Sequence, residues 1–444
     1  MFPTISTTTP AKRLLPVADL ALVVLVGASG SGKSAFARRH FGPSRILSFD
    51  HCRAPVADDA NDRSASAGAH DVLHHLAGER LAAGRLTVVD AHVRAESRRR
   101  LIRLAREHDV PSIAIVFDLP EEACARPGPD GPPPDAVRRH RSELHRSLGG
   151  LEREGFHQVH VLRSAEEADA AEVVLERRRT DLTGLTGPFD IIGDVHGCSS
   201  ELETLLARLG YRDGAHPDGR TAVFVGDLVD RGPDSPGVLR RVMSMAAAGN
   251  ALCVMGNHED KLGRHLAGRK VRLTHGLAET VEQLEREDEA FRERVREFIG
   301  GLVSHYVLDG GKLVVCHAGL PEKYHGRTSG RVRAHALYGA TTGGTDEYGL
   351  PVRGPWAEEY RGRAAVVHGH TPVPAAAWNN NTLCLDTGAV FGGAMTALRW
   401  PERELVGVPA EKAWCERPGR PPERSEPPSA VPERRSPSEG GAAR

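Results

Sequence analysis

Between Phe189 and Glu259 three short apolar runs each end in a polar motif, reading FDIIGDVHGC, then FVGDLVDRGPDS, then VMGNHE. Asp194 and His196 follow Ile191-Ile192, Asp227 follows Val223-Phe224-Val225, and Asn257-His258 follow Val254-Met255. Apolar runs this short predict buried strands, whose ends deliver ligands to one edge of a sheet, where α/β folds keep their sites. Further on, VVCHAGL presents His317, and VVHGHTP presents His368 and His370, in the same way. Asp, His, Asp, Asn, His and His suit two divalent cations that share one carboxylate. Such a pair clamps a phosphoryl group and supplies hydroxide at neutral pH. Spacing leaves His368 and His370 both open as the last ligand. Asp386, in CLDTGAV, either supports this site or is a turn residue.

A second motif constrains the first half. ALVVLV runs into Gly27-Ala28-Ser29-Gly30-Ser31-Gly32-Lys33-Ser34 and a helix start. GxxxxGKS behind a strand and before a helix is the context of a P-loop: backbone amides wrap phosphates, Lys33 neutralises them and Ser34 holds magnesium. Gly27, Ser29, Gly30, Ser31, Gly32, Lys33 and Ser34 are therefore expected to bind ATP, or another nucleoside triphosphate, with Mg2+. RILSFD reads as a strand ending at Asp50, with Arg53 one turn later. A carboxylate there can take the proton from an acceptor hydroxyl, and the plainer alternative is a helix N-cap. RLTVVDA ends a further strand at Asp90, a magnesium-side or structural carboxylate. ESRRRLIRLAREHDV is an amphipathic helix with an arginine-rich outer face, PSIAIVFDL a core strand and EGFHQVHVL the last one. This alternation predicts a parallel sheet. EEACARPGPDGPPPDAVRRHRSELHRSL stands where small P-loop kinases carry an arginine-bearing lid. Arg126 and Arg138 are the candidates, with Arg139, Arg141 and Arg146 read as a solvated face.

A chain of 444 residues suggests two domains and a tail. Its 58 basic and 59 acidic residues nearly cancel, so nucleic-acid contact must rest on local patches. Seven cysteines without a CxxC pair fit a reduced, cytoplasmic chain. No apolar run reaches membrane-span length, so no membrane partner is expected. Lys12-Arg13 before apolar Leu14 to Val26 imitates a signal peptide, but Asp19 interrupts it and cleavage near Ala28-Ser29 would destroy the P-loop, so the run reads as a buried strand. Residues 1–18 read as a loose leader, and 164–188 as a linker helix and loop. Residues 275–300 read as one long charged helix with Leu277, Val281, Leu284, Phe291, Val295 and Phe298 in an apolar stripe, capping the site. A coiled-coil arm of a homodimer is the alternative, for which the run is short. Residues 416–444, rich in Pro, Ser, Glu and Arg, are too poor in apolar side chains for a core and are expected to be disordered.

The order GDxHG, GDxxDRG, GNHE, H, GHTP resembles the calcineurin-like metallophosphoesterase superfamily. The resemblance implies that Asp194, His196 and Asp227 hold one metal, and that Asp227, Asn257, His317 and His370 hold the second, with Mn2+ expected in both. His370 is favoured over His368 because Thr371-Pro372 follow it directly. His258 would be the general acid, oriented by Asp230, and Arg231 would grip phosphate oxygens. Adding SFDxxR, the Cys124 and Arg126 lid start, the Glu154-Gly155-Phe156 turn and LYGATTGGTDEYGLPVRGPW, roughly residues 20–410 resemble the bacterial polynucleotide kinase–phosphatases of RNA repair. Such enzymes phosphorylate 5′-hydroxyl ends and remove 3′ or 2′,3′-cyclic phosphates. The resemblance implies a P-loop polynucleotide kinase domain at 1–180 and an αββα metallophosphoesterase sandwich at 186–410. Asp50 would be the base on the 5′-hydroxyl, Arg53 would position the acceptor phosphate and Arg126 the donor. RNA ends (or DNA) and a separate ligase would be the partners. Two departures stand out. PGPDGPPPD lacks the lid arginines that follow Arg126 in the family, and the ligase domain with its Lys-x-x-x-Gly motif is not in this sequence. The same motifs also fit a protein-phosphoserine or dinucleoside-tetraphosphate phosphatase, and the P-loop half also fits an NTP-dependent scaffold.

Overall fold

Parallel strands covered on both faces read as near-continuous apolar runs, as Leu22–Gly27 and Ser112–Phe117 do apart from Gly27 and Ser112, and every residue of both is buried. The computed structural model describes residues 12–57, 66–90, 94–124, 133–345 and 351–416. It divides into two units, Met1–Arg179 with Gly326–Val332, and Thr180–His325 with Arg333–Arg444.

The first unit is a five-stranded parallel sheet in the order Ile46–Ser48, Thr87–Asp90, Leu22–Gly27, Ser112–Phe117, Gln158–Leu162. Its central strand sends Leu22, Val24 and Val26 into one apolar cluster and Val23 and Leu25 into the other, so each face has its own core. The P-loop leaves the C-terminal end of this strand, the usual place for a ligand crevice. Four sequence expectations are corrected here. The leader contains a strand, Arg13–Ala18, paired in parallel with Ala171–Glu176, itself in the stretch read as linker. Its alternation explains this, because Leu15 and Val17 are fully buried while Leu14 is exposed. The strand before Asp50 stops at Ser48, and helix Phe49–Ala57 takes Asp50 into its first turn. Finally, helix Ala95–Glu107 is not arginine-rich only outside: Arg98 is fully buried and paired with Glu154.

The second unit packs two five-stranded sheets face to face with helices outside. One runs Ala251–Cys253, Thr221–Phe224, Phe189–Ile192, Ala394–Trp400, Glu404–Pro409. The other runs His305–Leu308, Leu313–Cys316, Ala365–His368, Thr382–Cys384, Trp378–Asn379. Ile191, Val223 and Leu398 from the first meet Val315, Val367 and Leu383 from the second in one buried cluster. The long charged helix expected at 275–300 is two, Leu277–Glu285 and Glu289–Gly301. The break is at Asp288, whose carboxylate accepts from Phe291 N at 2.6 Å and caps the second helix. In the second helix Ile299 is buried, and Phe298, placed in the stripe by the single-helix reading, is only half-buried. No described helix is long and apolar enough to cross a membrane. The C-terminal stretch from residue 417 lies outside the described residues.

Candidate active site

Each predicted ligand of the second unit sits just past the C-terminal end of a strand. Asp194 and His196 follow Phe189–Ile192, Asp227 follows Thr221–Phe224, and Asn257 follows Ala251–Cys253. From the other sheet, His317 follows Leu313–Cys316 and His370 follows Ala365–His368. Asp194, His196, Asp227, His258 and His317 are all buried. His317 Nε2 lies 2.9 Å from Asn257 Oδ1, 3.0 Å from His370 Nδ1 and 3.3 Å from Asp227 Oδ2. With His317 Nδ1 donating to Val225 O at 3.0 Å, its Nε2 turns a lone pair toward three other lone-pair carriers. That convergence repels unless a proton on Nε2 or a cation relieves it, and, against the opposing effect of burial, Asp227 beside it raises the His317 pKa. Asp227 Oδ2 is also 3.6 Å from His196 Nε2 and 3.8 Å from His258 Nε2, so one carboxylate reaches two imidazole groups of donors. Asp194 Oδ1 is buried without a hydrogen-bond partner among the described residues. These residues fit two divalent cations bridged by Asp227. His370, not His368, lies in the cluster. His258, expected only as the acid, stands within the His196 and Asp227 group.

Burial, with Asp386 and Asp227 close by, pushes the Asp194 carboxyl well above its usual range. Burial also raises Asp386, to about 6. Asp227 resists the same burial because His317, His258 and His196 surround it and hold its carboxyl well below normal. Burial and the Arg231 guanidinium keep His196 neutral far below its ordinary pKa. Arg231 Nη1 donates to His196 Nε2 at 2.6 Å and its guanidinium carbon stands 5.5 Å over the Phe391 ring, so the cation is held at the site. His258 Nδ1 donates to Asp230 Oδ2 at 2.6 Å, which turns Nε2 toward the cluster. Asp386, left between two readings by the sequence, is buried beside these groups, its Oδ1 accepting from Gly388 N at 3.0 Å.

The backbone at this site is strained. His196, Asp227, Asp230, Arg231 and His370 all have φ between 46° and 74°, where side-chain-bearing residues cost of order 1–3 kcal/mol each. What holds them was not assigned from sequence. Glu259, fully buried, accepts from Asp227 N and Leu228 N at 2.8 Å each and from Gly256 N at 3.1 Å. Burial, then Asp227, raises its carboxyl to about 7. Thr280 Oγ1 and Ser235 Oγ each accept from Asp230 N at 3.1 Å, and Gln283 Oε1 accepts from Ser235 N at 2.8 Å. Glu259 stands inside GNHE and was legible as a motif member. Thr280 and Gln283 belong to a distant helix and carry no signal of their own.

In the first unit the loop from Gly27 to Ser34 joins strand Leu22–Gly27 to helix Lys33–His40. Gly30 and Gly32 have φ of 78° and 85°, which glycine adopts without strain. Lys33 Nζ donates to Gly27 O at 3.0 Å and Ala28 O at 2.9 Å. Ser34 Oγ donates to Asp90 Oδ2 at 2.5 Å, so the hydroxyl and carboxylate expected around magnesium are together. Ser31 is buried and its Oγ has no hydrogen-bond partner among the described residues. Arg53 stacks its guanidinium 4.8 Å over Phe49. Arg126 and the side chain of Asp50 lie outside the described residues. Arg138 is not a clamp here: it is exposed and paired with Glu121 and Asp135. The same helix, Pro134–Leu148, instead brings His140 Nδ1 to 3.3 Å from Ser29 Oγ. Arg141, read as solvated, is half-buried, its Nε without a partner among the described residues, near a Cys124 thiol that also feels Lys33.

The two halves thus define a kinase-like P-loop unit and a metallophosphoesterase unit in one chain. Known families agree: residues 22–127 match the AAA domain and residues 187–384 the calcineurin-like phosphoesterases. A bis(5′-nucleosyl)-tetraphosphatase PrpE [asymmetrical] of Anoxybacillus flavithermus is 47% identical over 230 residues, 50% of this chain and 94% of that protein. Its counterpart in Geobacillus thermodenitrificans is 45% identical over the same shares. A solved structure described as a putative diadenosine tetraphosphatase is 26% identical and covers 52% of this chain and 97% of its own, at a TM-score of 0.40. Through its C-terminal half, the chain belongs to the calcineurin-like phosphoesterases, enzymes that use divalent metals.

Proposed function

We propose that the chain is a bifunctional enzyme of broken RNA ends, an NTP-dependent 5′-hydroxyl polynucleotide kinase and a metal-dependent 2′,3′-phosphatase. The observation that carries this reading is a cavity in the P-loop unit, of about 310 Å³. Phe49, His70, His74, Arg94 and Arg100 line it together with Asp71 and Glu96, so rings on which a base can stack stand beside Arg94, while Arg100 is 3.8 Å from Asp71. It also touches Val89, next to the Asp90 that receives Ser34. Hydrolysis of a nucleoside triphosphate needs no such acceptor pocket. In the reaction, Lys33 and the loop amides hold the donor phosphates, Ser34 and Asp90 would hold magnesium, and Arg53 meets the acceptor strand. Asp50, by its place in the first turn of helix Phe49–Ala57, takes the 5′-hydroxyl proton.

In the phosphoesterase, Asp194, His196, Asp227, Asn257, His317 and His370 would hold two divalent cations. When bound, these polarise the phosphoryl group and lower the pKa of water. Arg231 grips the phosphate oxygens, and His258 Nε2 hands a proton to the leaving oxygen while Asp230 steadies the ring.

The PrpE relatives favour a second reading, asymmetrical hydrolysis of bis(5′-nucleosyl) tetraphosphates at the same centre. Rates on a 3′-phosphorylated oligoribonucleotide and on bis(5′-adenosyl) tetraphosphate separate the two. We expect kcat/KM to favour the RNA end by roughly ten-fold or more. A preference for the tetraphosphate, releasing ATP and AMP, would move the assignment to the second reading.

A further inference from the structure

Beside the metal cluster the second unit holds a pocket of about 270 Å³ that the proposed mechanism does not use. Trp356, His368, Asn379, Thr382 and Cys384 line it together with His370. It therefore opens on a residue whose Nδ1 is 3.0 Å from His317 Nε2. The indole is fixed. A Cβ on Gly319 would stand 2.1 Å from Trp356 Cζ2, so the ring lies against bare backbone, and His368 meets it edge-on at 5.2 Å between centroids. Ala318, Ala340, Ala357 and Gly339 keep the remaining walls thin. Asn379 is exposed and its side-chain amide makes no hydrogen bond among the described residues, leaving one donor and one acceptor group at the rim. A pocket with one rigid aromatic wall, an amide at its rim and the candidate phosphate centre at one end has the makings of a nucleoside site.

We infer that this pocket takes the nucleobase and sugar of the scissile terminal nucleotide, the base stacking on Trp356 and meeting Asn379, with the phosphate at the cluster by His370. This deepens the proposed phosphatase reading and rests on it for the nucleotidic substrate. The pocket makes the enzyme selective for phosphates borne by a nucleoside, and its size admits one nucleoside at a time.

The test compares adenosine 3′-monophosphate with β-glycerophosphate, a base-free phosphomonoester, as substrates of the full chain loaded with Mn2+. The wild type should prefer the nucleotide. Trp356→Ala should raise KM for adenosine 3′-monophosphate by roughly ten-fold or more, and Trp356→Phe should restore most of it. Neither change should alter kcat/KM for β-glycerophosphate by more than about two-fold. A wild type indifferent to the base overturns the pocket, and so does an equal loss on both substrates in Trp356→Ala. A chain that prefers the mononucleotide but leaves RNA 3′-phosphates untouched sinks the end-healing reading and leaves the pocket standing.

Discussion

Arg98 has no exposed surface and donates to Glu154 from Nη2 at 2.7 Å and from Nε at 2.9 Å. Breaking a buried pair by removing one partner leaves the other charge in a poor solvent, at a cost of about 3–5 kcal/mol. Glu154→Ala should lose that much by urea denaturation, and Arg98→Met with Glu154→Leu together should lose much less. Equal losses would mean that packing, not the stranded charge, sets the cost. Glu259 acts at the same scale on the metal centre. Its two oxygens accept from the amides that shape Asp227, and Glu259→Gln would turn an NH2 group against one of them. Mn2+ affinity by calorimetry should fall by about 10–100-fold, as outer-sphere changes do. Unchanged affinity would show that the strained turn at Asp227 holds without it. Glu259 was visible as a letter of GNHE, but its function was not, because accepting backbone amides leaves no compositional trace. Arg98 was misread for a related reason. A charge in an Arg-rich run looks solvated until its partner, distant in sequence, is known.

At the scale of elements, strand ends were the legible part. Each apolar run before a polar motif became a strand, and every ligand followed one, because burial on both faces leaves a strong signal. Turn and cap chemistry was harder to weigh. The stretch from Leu277 to Gly301 has a continuous helical period, and only Asp288, one acidic residue among many, breaks it. Asp288→Ala should cost about 1 kcal/mol and let the two helices fray toward each other. A loss below roughly 0.3 kcal/mol would show that tertiary packing alone places the break. Strand Arg13–Ala18 was not told apart from the apolar run that follows it, because only Arg13 in it is polar and its partner strand, Ala171–Glu176, lies far along the chain. The lid was hardest of all. Arg138 and Arg141 are three positions apart, and only the observed orientation puts one on the surface with Glu121 and the other inward.

At the scale of the whole molecule, each unit has its own buried clusters and its own candidate ligand. Ligands that bind the folded state raise its stability by RT ln(1 + [L]/Kd), about 2.7 kcal/mol at a hundred-fold excess over Kd. Calorimetry should therefore show one transition moved upward by ATP with Mg2+ and another moved by Mn2+. Lys33→Ala should abolish the first shift alone and Asp227→Ala the second alone. A single transition answering to both ligands would contradict this division of labour. The central claim, that one chain heals both ends of a break, is tested most directly by one RNA. It carries a 5′-hydroxyl and a 3′-phosphate, is incubated with protein, ATP, Mg2+ and Mn2+, and both ends are resolved by gel. The account expects a 5′-phosphate gained and lost again in Lys33→Ala, and a 3′-phosphate removed unless Asp227 is changed to Ala. An RNA whose two ends are both unaltered, by a protein that still cleaves a simple phosphoester, would contradict it.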